Sequence, residues 1–216
     1  MKIIAINGGP RKQWNTAALL RQALDGAASQ GAETELIHLY DLRFSGCTSC
    51  FACKRLGGAS YGRCAVQDDL APVLRRIEQA DALVLGSPIY FGSVTGMFRC
   101  FLERLAFQYL VYNKERAVLT PRQIPTGFVS AMNVPNAEYY KEQLDSLLGL
   151  LQRIMGPAQG VYAADTYQFD DYAKYASSAF DAQHKAEHRQ TVFPEDCRRA
   201  YDMGVDLVRQ AKELQL

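Results

Sequence analysis

The stretch Asp81-Ala-Leu-Val-Leu-Gly-Ser-Pro-Ile-Tyr-Phe-Gly92 decides the fold class of this chain. Its run Ala82–Leu85 is short, continuous and apolar, which is typical of a parallel strand that is covered on both faces. We expect Ser87 and Pro88 to end the strand, because proline has no N–H for the ladder and a fixed φ angle. The pattern therefore predicts a buried strand of an α/β sheet.

An apolar loop is expected after this strand. It consists of Ile89, Tyr90 and Phe91, and Gly92 closes it before the next helix. Rings in a loop suit a flat aromatic ligand, and open α/β sheets bind ligands at the carboxyl edge of their strands. We therefore expect this loop, with Tyr90 or Phe91 against the ligand, to form one wall of a binding site.

A second loop follows the first predicted strand, Lys2–Ile6, and leads into a helix. Asn15 or Thr16 can cap that helix, whose free N–H groups together with Arg11 and the Gly9 backbone N–H would attract an anion. The loop matches neither a Walker A sequence nor G-x-G-x-x-G, and therefore suits a monophosphate. The alternative is an ordinary turn in which glycine and proline serve geometry only.

Taken together, the two loops predict a cofactor that carries both a phosphate and a planar ring. The candidate binding residues are Gly9, Arg11, Asn15, Thr16, Ser87, Pro88, Ile89, Tyr90, Phe91 and Gly92.

Strands and helices are predicted to alternate along the chain, which indicates βαβ units and a parallel sheet. The predicted strands are residues 2–7, 34–39, 82–87, 126–131 and 160–164. The predicted helices are residues 15–29, 69–79, 94–112, 137–155 and 195–214. Five such strands suggest the flavodoxin-like order 2-1-3-4-5, in which the ligand lies between the first and third strands. The predicted fold is thus an α/β three-layer sandwich.

Four of the six cysteines are clustered as Cys47-x2-Cys50-x2-Cys53, with Cys64 further on. Such clustering favours metal or redox chemistry over structural disulfides. The short repeated spacing resembles iron–sulfur ligation more than zinc ligation, which usually takes two separated pairs. An iron–sulfur cluster, redox-active thiols and a zinc site all remain open.

The motifs also resemble a known family. Asn7–Arg11 followed by Asn15-Thr16 looks like the opening of NADPH-dependent FMN reductases, and Ala80–Gly92 with Gly96–Arg104 looks like their second conserved block. The cysteine cluster between these blocks resembles that of the iron–sulfur flavoproteins. The resemblance implies a flavodoxin-like fold, FMN, a homodimer or tetramer, and a [4Fe–4S] cluster on the four cysteines. Gly9 replaces the usual serine, so we expect weaker phosphate binding.

Two hypotheses for the function follow from this resemblance. The first is an enzyme that passes hydride or electrons from NAD(P)H through FMN to an acceptor such as a quinone or free flavin. The alternative is an iron–sulfur flavoprotein electron carrier, and a flavin-free binding module on the same scaffold is the third possibility. No catalytic side chain is expected, because FMN carries the chemistry.

Composition favours a soluble chain with a single domain over residues 1–216. Of the 216 residues, 48% are hydrophobic and 22% charged, and the net charge of +1 gives no attraction to nucleic acid or to an anionic membrane. We expect a cytoplasmic protein whose partners are a small-molecule acceptor or a redox protein. The aromatic segment 165–193 could wrap a partner subunit, cover the flavin or support the last helix.

Overall fold

The computed structural model describes residues 1–115 and 117–215. The strands are β1 (Lys2–Asn7), β2 (Glu33–His38), β3 (Ala82–Tyr90), β4 (Ser93–Val94), β5 (Thr126–Ala131) and β6 (Ala158–Ala163). The helices are α1 (Asn15–Ser29), α2 (Leu70–Gln79), α3 (Gly96–Tyr109), α4 (Lys141–Met155), α5 (Ala182–Thr191) and α6 (Phe193–Glu213). Short 3₁₀ helices lie at Leu39–Asp41, Ala52–Lys54, Ala137–Tyr140 and Tyr172–Lys174.

The five long strands pair in parallel in the order β2-β1-β3-β5-β6. When these five strands are counted alone, this is the predicted order 2-1-3-4-5, so the flavodoxin-like fold is confirmed. The order reverses between β1 and β3, and the loops after these two strands therefore meet at one crevice.

Apolar side chains cover both faces of the sheet because successive residues of a strand point to opposite sides. On one face, Ile4, Leu83 and Phe128 pack in a core with α2, α3 and α4. On the other face, Ile3 and Val84 pack against α1 and α6. Burial on both faces explains why the central strands are continuous apolar runs.

Strand β3 is longer than predicted, since it continues through Ser87 and Pro88 to Tyr90. Pro88 lies opposite Ala131, the last residue of β5, so its missing N–H falls where the parallel ladder ends. Beyond that point Ile89 and Tyr90 pair antiparallel with β4. Ile89 and Tyr90 are therefore strand residues, and the expectation of a loop there was wrong.

A two-residue turn joins β3 to β4. It consists of Phe91 and Gly92, whose φ angles are +51° and +79°. Positive φ at both central positions is the turn geometry that matches the twist of a hairpin. This turn carries Phe91 out into solvent, where its side chain is fully exposed.

Two helix boundaries also differ from the prediction. Helix α3 ends at Tyr109 instead of continuing to residue 112, because Leu110 forms an antiparallel bridge with Val118. The helix predicted at 137–155 begins as a 3₁₀ turn, and α5 lies inside a segment for which no helix was predicted. Within residues 1–115 and 117–215, none of the helices combines the length and apolar character that crossing a membrane requires.

Candidate functional site

The loop after β1 has little conformational freedom. The N–H of Gly8 donates to the Gly86 carbonyl at 2.7 Å, and the Gly8 carbonyl accepts from the Thr95 hydroxyl at 2.6 Å. A Cβ atom at Gly8 would lie 2.6 Å from the Phe98 ring, so this position excludes a side chain. The Gly9 N–H donates to the Asn7 side chain at 2.9 Å. It is therefore used within the loop, and its binding to a phosphate stays a prediction.

Helix α1 begins beside this loop without a side-chain cap. Its N-cap residue is Trp14, and neither Asn15 nor Thr16 caps it as predicted, because both lie in the first helical turn. The N–H groups at a helix start need a partner outside the helix, and together with the helix dipole they favour an anion. This end of α1 is therefore suited to a phosphate.

Two side chains of the α1 region hold a segment from the far end of the chain. Arg11 donates to the Gln168 carbonyl at 2.7 Å, and its guanidinium lies 4.8 Å from the centre of the Trp14 ring. Asn15 donates to the Tyr167 carbonyl at 2.9 Å. The segment after β6 thus closes one side of the crevice.

An open cavity of about 110 Å³ lies between these loops at the carboxyl edge of the sheet. Its lining residues are Gly9, Pro10, Arg11, Trp14, Asn15, Thr16, Pro88, Ile89, Tyr90, Ala131, Met132, Asn133, Thr166, Tyr167 and Gln168. Among the described residues that line it, Arg11 is the one charged side chain, and no carboxylate is present. An anionic ligand with a flat apolar part fits this lining.

Seven of the ten predicted binding residues line this cavity, namely Gly9, Arg11, Asn15, Thr16, Pro88, Ile89 and Tyr90. Ser87 is fully buried instead, where its hydroxyl accepts from the Thr95 N–H at 3.0 Å. Phe91 and Gly92 form the hairpin turn and do not line the cavity, so Tyr90 is the one of the two aromatic residues predicted to face the ligand that lies at its wall.

Sequence reasoning named no residue of the third wall of the cavity, which consists of residues 131–133 and 166–168, although covering the flavin was one of three roles left open for segment 165–193. These residues follow β5 and β6, whose carboxyl ends lie at the same edge of the sheet as those of β1 and β3. The predicted strand order contained this information, since every loop at that edge is a candidate wall.

The four clustered cysteines share a second, smaller cavity of about 20 Å³ beside α3. The loop around them contains two non-glycine residues with positive φ, Ser49 and Phe51, a strained conformation that is typical of functional sites. Buried Arg104 holds this loop to the helix by donating to the Asp68 carboxylate at 2.5 Å and to the Cys64 sulfur at 3.3 Å.

As placed, the cysteine side chains do not form a site for a single metal ion. Among the residues that the structure describes, no three His, Cys, Asp or Glu side chains are arranged to hold one ion. This argues against zinc, whose thiolate ligands lie about 2.3 Å from the metal. The same finding gives no support to the [4Fe–4S] cluster that the resemblance implies, although the four cysteines line one cavity. Burial raises the pKa of Cys53, and Lys54 opposes this shift.

The model of the NADPH-dependent FMN reductase family matches residues 1–163. The chain belongs to this family. An iron–sulfur flavoprotein of Methanocaldococcus jannaschii is 39% identical over 104 residues, which cover 48% of this chain and 51% of that protein. The chain thus spans about half the length of the curated relatives it matches first.

Solved structures agree on the fold of this FMN reductase family member. RosB, determined with a bound 8-demethyl-8-formylriboflavin-5′-phosphate, superposes with a TM-score of 0.69 at 17% identity and covers 99% of this chain and 81% of its own. An azoreductase from Bacillus anthracis reaches 0.66 at 13% identity and covers 95% of this chain and 99% of its own. At these identities the likeness establishes the fold alone.

Proposed function

We propose that this protein is an FMN-dependent NAD(P)H oxidoreductase that passes reducing equivalents to an acceptor such as a quinone or free flavin. The observation that carries this proposal is the cavity between the uncapped start of α1 and the end of β3. One side offers N–H groups and the Arg11 guanidinium to a phosphate, and the other offers Pro88, Ile89 and Tyr90 to a ring system. Membership of the FMN reductase family supports the same cofactor.

When bound, FMN would supply hydride and single-electron transfer, chemistry that proteins generally obtain from a cofactor. The chain's own residues then bind the cofactor, orient its ring and shield it from water. The first turn of α1 and Arg11 hold the phosphate, whereas Pro88–Tyr90 and residues 131–133 hold the ring. Tyr167 and Gln168 close the side next to Arg11 and reduce access of water. No residue of the cavity has to act as a nucleophile or general base.

The first experiment is an absorption spectrum of protein purified without oxygen, followed by titration with FMN and then with NADPH or NADH. We expect flavin bands that bleach when nicotinamide is added. Binding of FMN without bleaching by either nucleotide would contradict NAD(P)H as the donor. If no FMN binds, the cofactor assignment itself is wrong.

The second candidate function is an iron–sulfur electron carrier with a [4Fe–4S] cluster on Cys47, Cys50, Cys53 and Cys64. The cavity that the four cysteines share favours this function. Gln108 lines the same cavity, and its buried Nε2 has no hydrogen-bond partner among the described residues. Cluster sulfur atoms would accept from this amide. Iron and sulfide analysis of the anaerobic sample tests the idea, with Cys100→Ser as the control for Cys53→Ser. Absence of both iron and sulfide would leave the four residues as thiols.

Association with a second copy belongs to the same proposal. An apolar groove between α3 and α4 is lined by Leu102, Ala106, Leu110, Leu150 and Ile154. Tyr112 and Tyr139 are also exposed on the surface, by 70% and 75%. Light scattering in solution is expected to give a dimer or tetramer, and Leu150→Glu should shift the protein to smaller species. A monomeric wild-type protein would contradict this part of the proposal.

A further inference from the structure

A buried ion pair lies behind the third wall of the cavity. Lys185 of α5 is only 3% exposed, and its ammonium group contacts the carboxylate of Asp165, which is 9% exposed. The same ammonium donates to the Asn133 side-chain oxygen at 2.8 Å. Burying a charged lysine is costly unless its partners compensate it, so this cluster needs an explanation.

The ion pair joins three parts of the chain. Asn133 follows β5, Asp165 follows β6, and Lys185 lies in the helix that sequence reasoning missed. The N–H of Asp165 donates to the Val134 carbonyl at 2.7 Å, although Asp165 has a φ of +50°, which is unfavourable for a residue other than glycine. The two loops are thus fastened to each other directly beside the cavity residues Asn133 and Thr166.

Two histidines and one aromatic ring also surround the ion pair. His184 contacts the second oxygen of Asp165 at 2.6 Å, and His188 lies next to His184 with 6.0 Å between ring centres. The Phe180 ring lies 5.5 Å from the Lys185 nitrogen. Burial alone would raise the pKa of Asp165, but hydrogen bonds from Lys185 and His184 lower it below its ordinary value. The carboxylate therefore stays charged at neutral pH.

Lys185 determines how the amide of Asn133 is turned. An ammonium group can only donate, so the atom of Asn133 that faces it must be the oxygen. The amide nitrogen, with its two N–H donors, then faces away from Lys185. Because Asn133 lines the cavity, these donors are available to an acceptor on a ligand there.

We propose that Lys185 is a positioning residue for the flavin ring, because it turns the Asn133 amide so that its N–H groups donate to the ring's acceptor atoms. The inference rests on the proposed binding of FMN in this cavity. Reduction places negative charge on the ring, and donors at its edge stabilise charge that develops there. Asn133 therefore binds reduced FMN more tightly than oxidised FMN, and Lys185 and Asp165 maintain this difference.

The test compares Asn133→Ala with the double variant Lys185→Met/Asp165→Asn, which removes both buried charges together. Removing only one of the two charges would leave the other buried without a partner, which would destabilise the fold. Lys141→Met is the matched control, because Lys141 is exposed and pairs with Asp145 on α4. The readouts are the dissociation constant for oxidised FMN, the midpoint potential of bound FMN, and thermal unfolding of the flavin-free protein.

We expect Asn133→Ala and the double variant each to lower the ratio of reduced to oxidised FMN affinity by roughly fivefold, the effect of about one hydrogen bond. Combining all three substitutions should add little, because they interrupt the same contact. An unchanged potential in the double variant, or losses equal for both redox states, would overturn the inference. If the wild-type protein itself binds no FMN, the proposed function is what fails.

Discussion

Arg11 connects two parts of the cavity wall. Its side chain is exposed, stacks on Trp14 and uses one N–H group on the Gln168 carbonyl, which leaves further donors of the guanidinium for a ligand. A charge at this place acts both on a bound phosphate and on the segment that closes over it. Substitution of Arg11 therefore tests directly whether a phosphate binds in this cavity.

Replacing Arg11 with alanine should weaken FMN binding by roughly tenfold, because one charge-assisted phosphate contact is lost. Fluorescence titration with FMN measures the dissociation constant, and Arg75→Ala on the exposed side of α2 is the control. Riboflavin has no phosphate, so its affinity should change little in the Arg11 variant. Equal losses for FMN and riboflavin would place Arg11 in the closing segment only.

Asp81 is a structural residue at the opposite edge of the sheet from the cavity. Its carboxylate accepts from the Lys2 N–H at 2.7 Å and from Arg122 at 3.0 Å. Burial alone would raise its pKa, but these two partners lower it below the ordinary value. The charged form is thus the one that the fold prefers.

Asp81→Asn should therefore destabilise the protein by about 1–2 kcal/mol at pH 7. A lowered pKa means that this contribution is present above the pKa of the unfolded chain, about 4, and is lost as the pH falls through the folded value. Urea unfolding at several pH values should show the two proteins converging in acid. A difference that does not shrink as the pH falls from 5 towards 2 would show that the charge is not what matters.

At the scale of elements, α1 and α6 cross at unusually close range. A Cβ atom at Gly26 of α1 would lie 2.0 Å from the Tyr201 carbonyl, and one at Gly204 of α6 would lie 1.9 Å from the Ala23 carbonyl. The two backbones touch at this point, so each position admits only glycine. This contact places α6 against the sheet and brings its preceding helix, α5, to the edge of the cavity.

Gly204→Ala should cost about 2 kcal/mol or more, because the helices must separate and repack. Gly149→Ala is the matched control, since Gly149 also lies inside a helix but a Cβ there would meet nothing within 4 Å. Alanine is the better helix former, so this control should gain about 0.5–1 kcal/mol. Urea unfolding measures both changes in the free energy of unfolding. A loss for Gly204→Ala together with a gain for Gly149→Ala would confirm the close contact of α1 and α6, whereas a stabilised Gly204→Ala variant would contradict it.

At the scale of the whole molecule, the cavity lies where the ends of four of the five parallel strands meet. Residues from the ends of β1, β3, β5 and β6 line it, so a ligand there contacts most of the chain's segments at once. Such a ligand binds only the folded protein. Its binding free energy therefore adds to the free energy of unfolding.

Saturating FMN, at a concentration of about 100 times its dissociation constant, should stabilise the protein by about 2.7 kcal/mol and raise the melting temperature by roughly 5–10 °C. Differential scanning calorimetry of the flavin-free protein with and without FMN measures this shift. Riboflavin at the same concentration should give a smaller shift, because it cannot use the start of α1. Equal shifts would mean that the phosphate is not bound there.

The sequence was sufficient for the strand order and for two of the three cavity walls. Apolar runs such as Ala82–Leu85 and the loop after β1 are local patterns, and seven of the ten predicted residues line the cavity. It did not indicate the turn at Phe91 or the contact of the Gly9 N–H with Asn7, because a hairpin turn and an Asx contact depend on neighbours in space. No local pattern indicated Asn133 or Lys185, since their contact spans 52 positions.

By itself the sequence determined that this chain forms a parallel sheet with its ligand loops after the first and third strands. A short stretch of sequence is enough to show both signals, because a strand buried on both faces is a continuous apolar run and ends near glycine or proline. Only the tertiary structure decided how the segment after β6 closes the site. Contacts such as that between Arg11 and the Gln168 carbonyl join residues 157 positions apart in the chain. Side-chain donors and backbone carbonyls occur throughout the chain, so the sequence cannot indicate which of them pair. Their positions in the folded protein decide it.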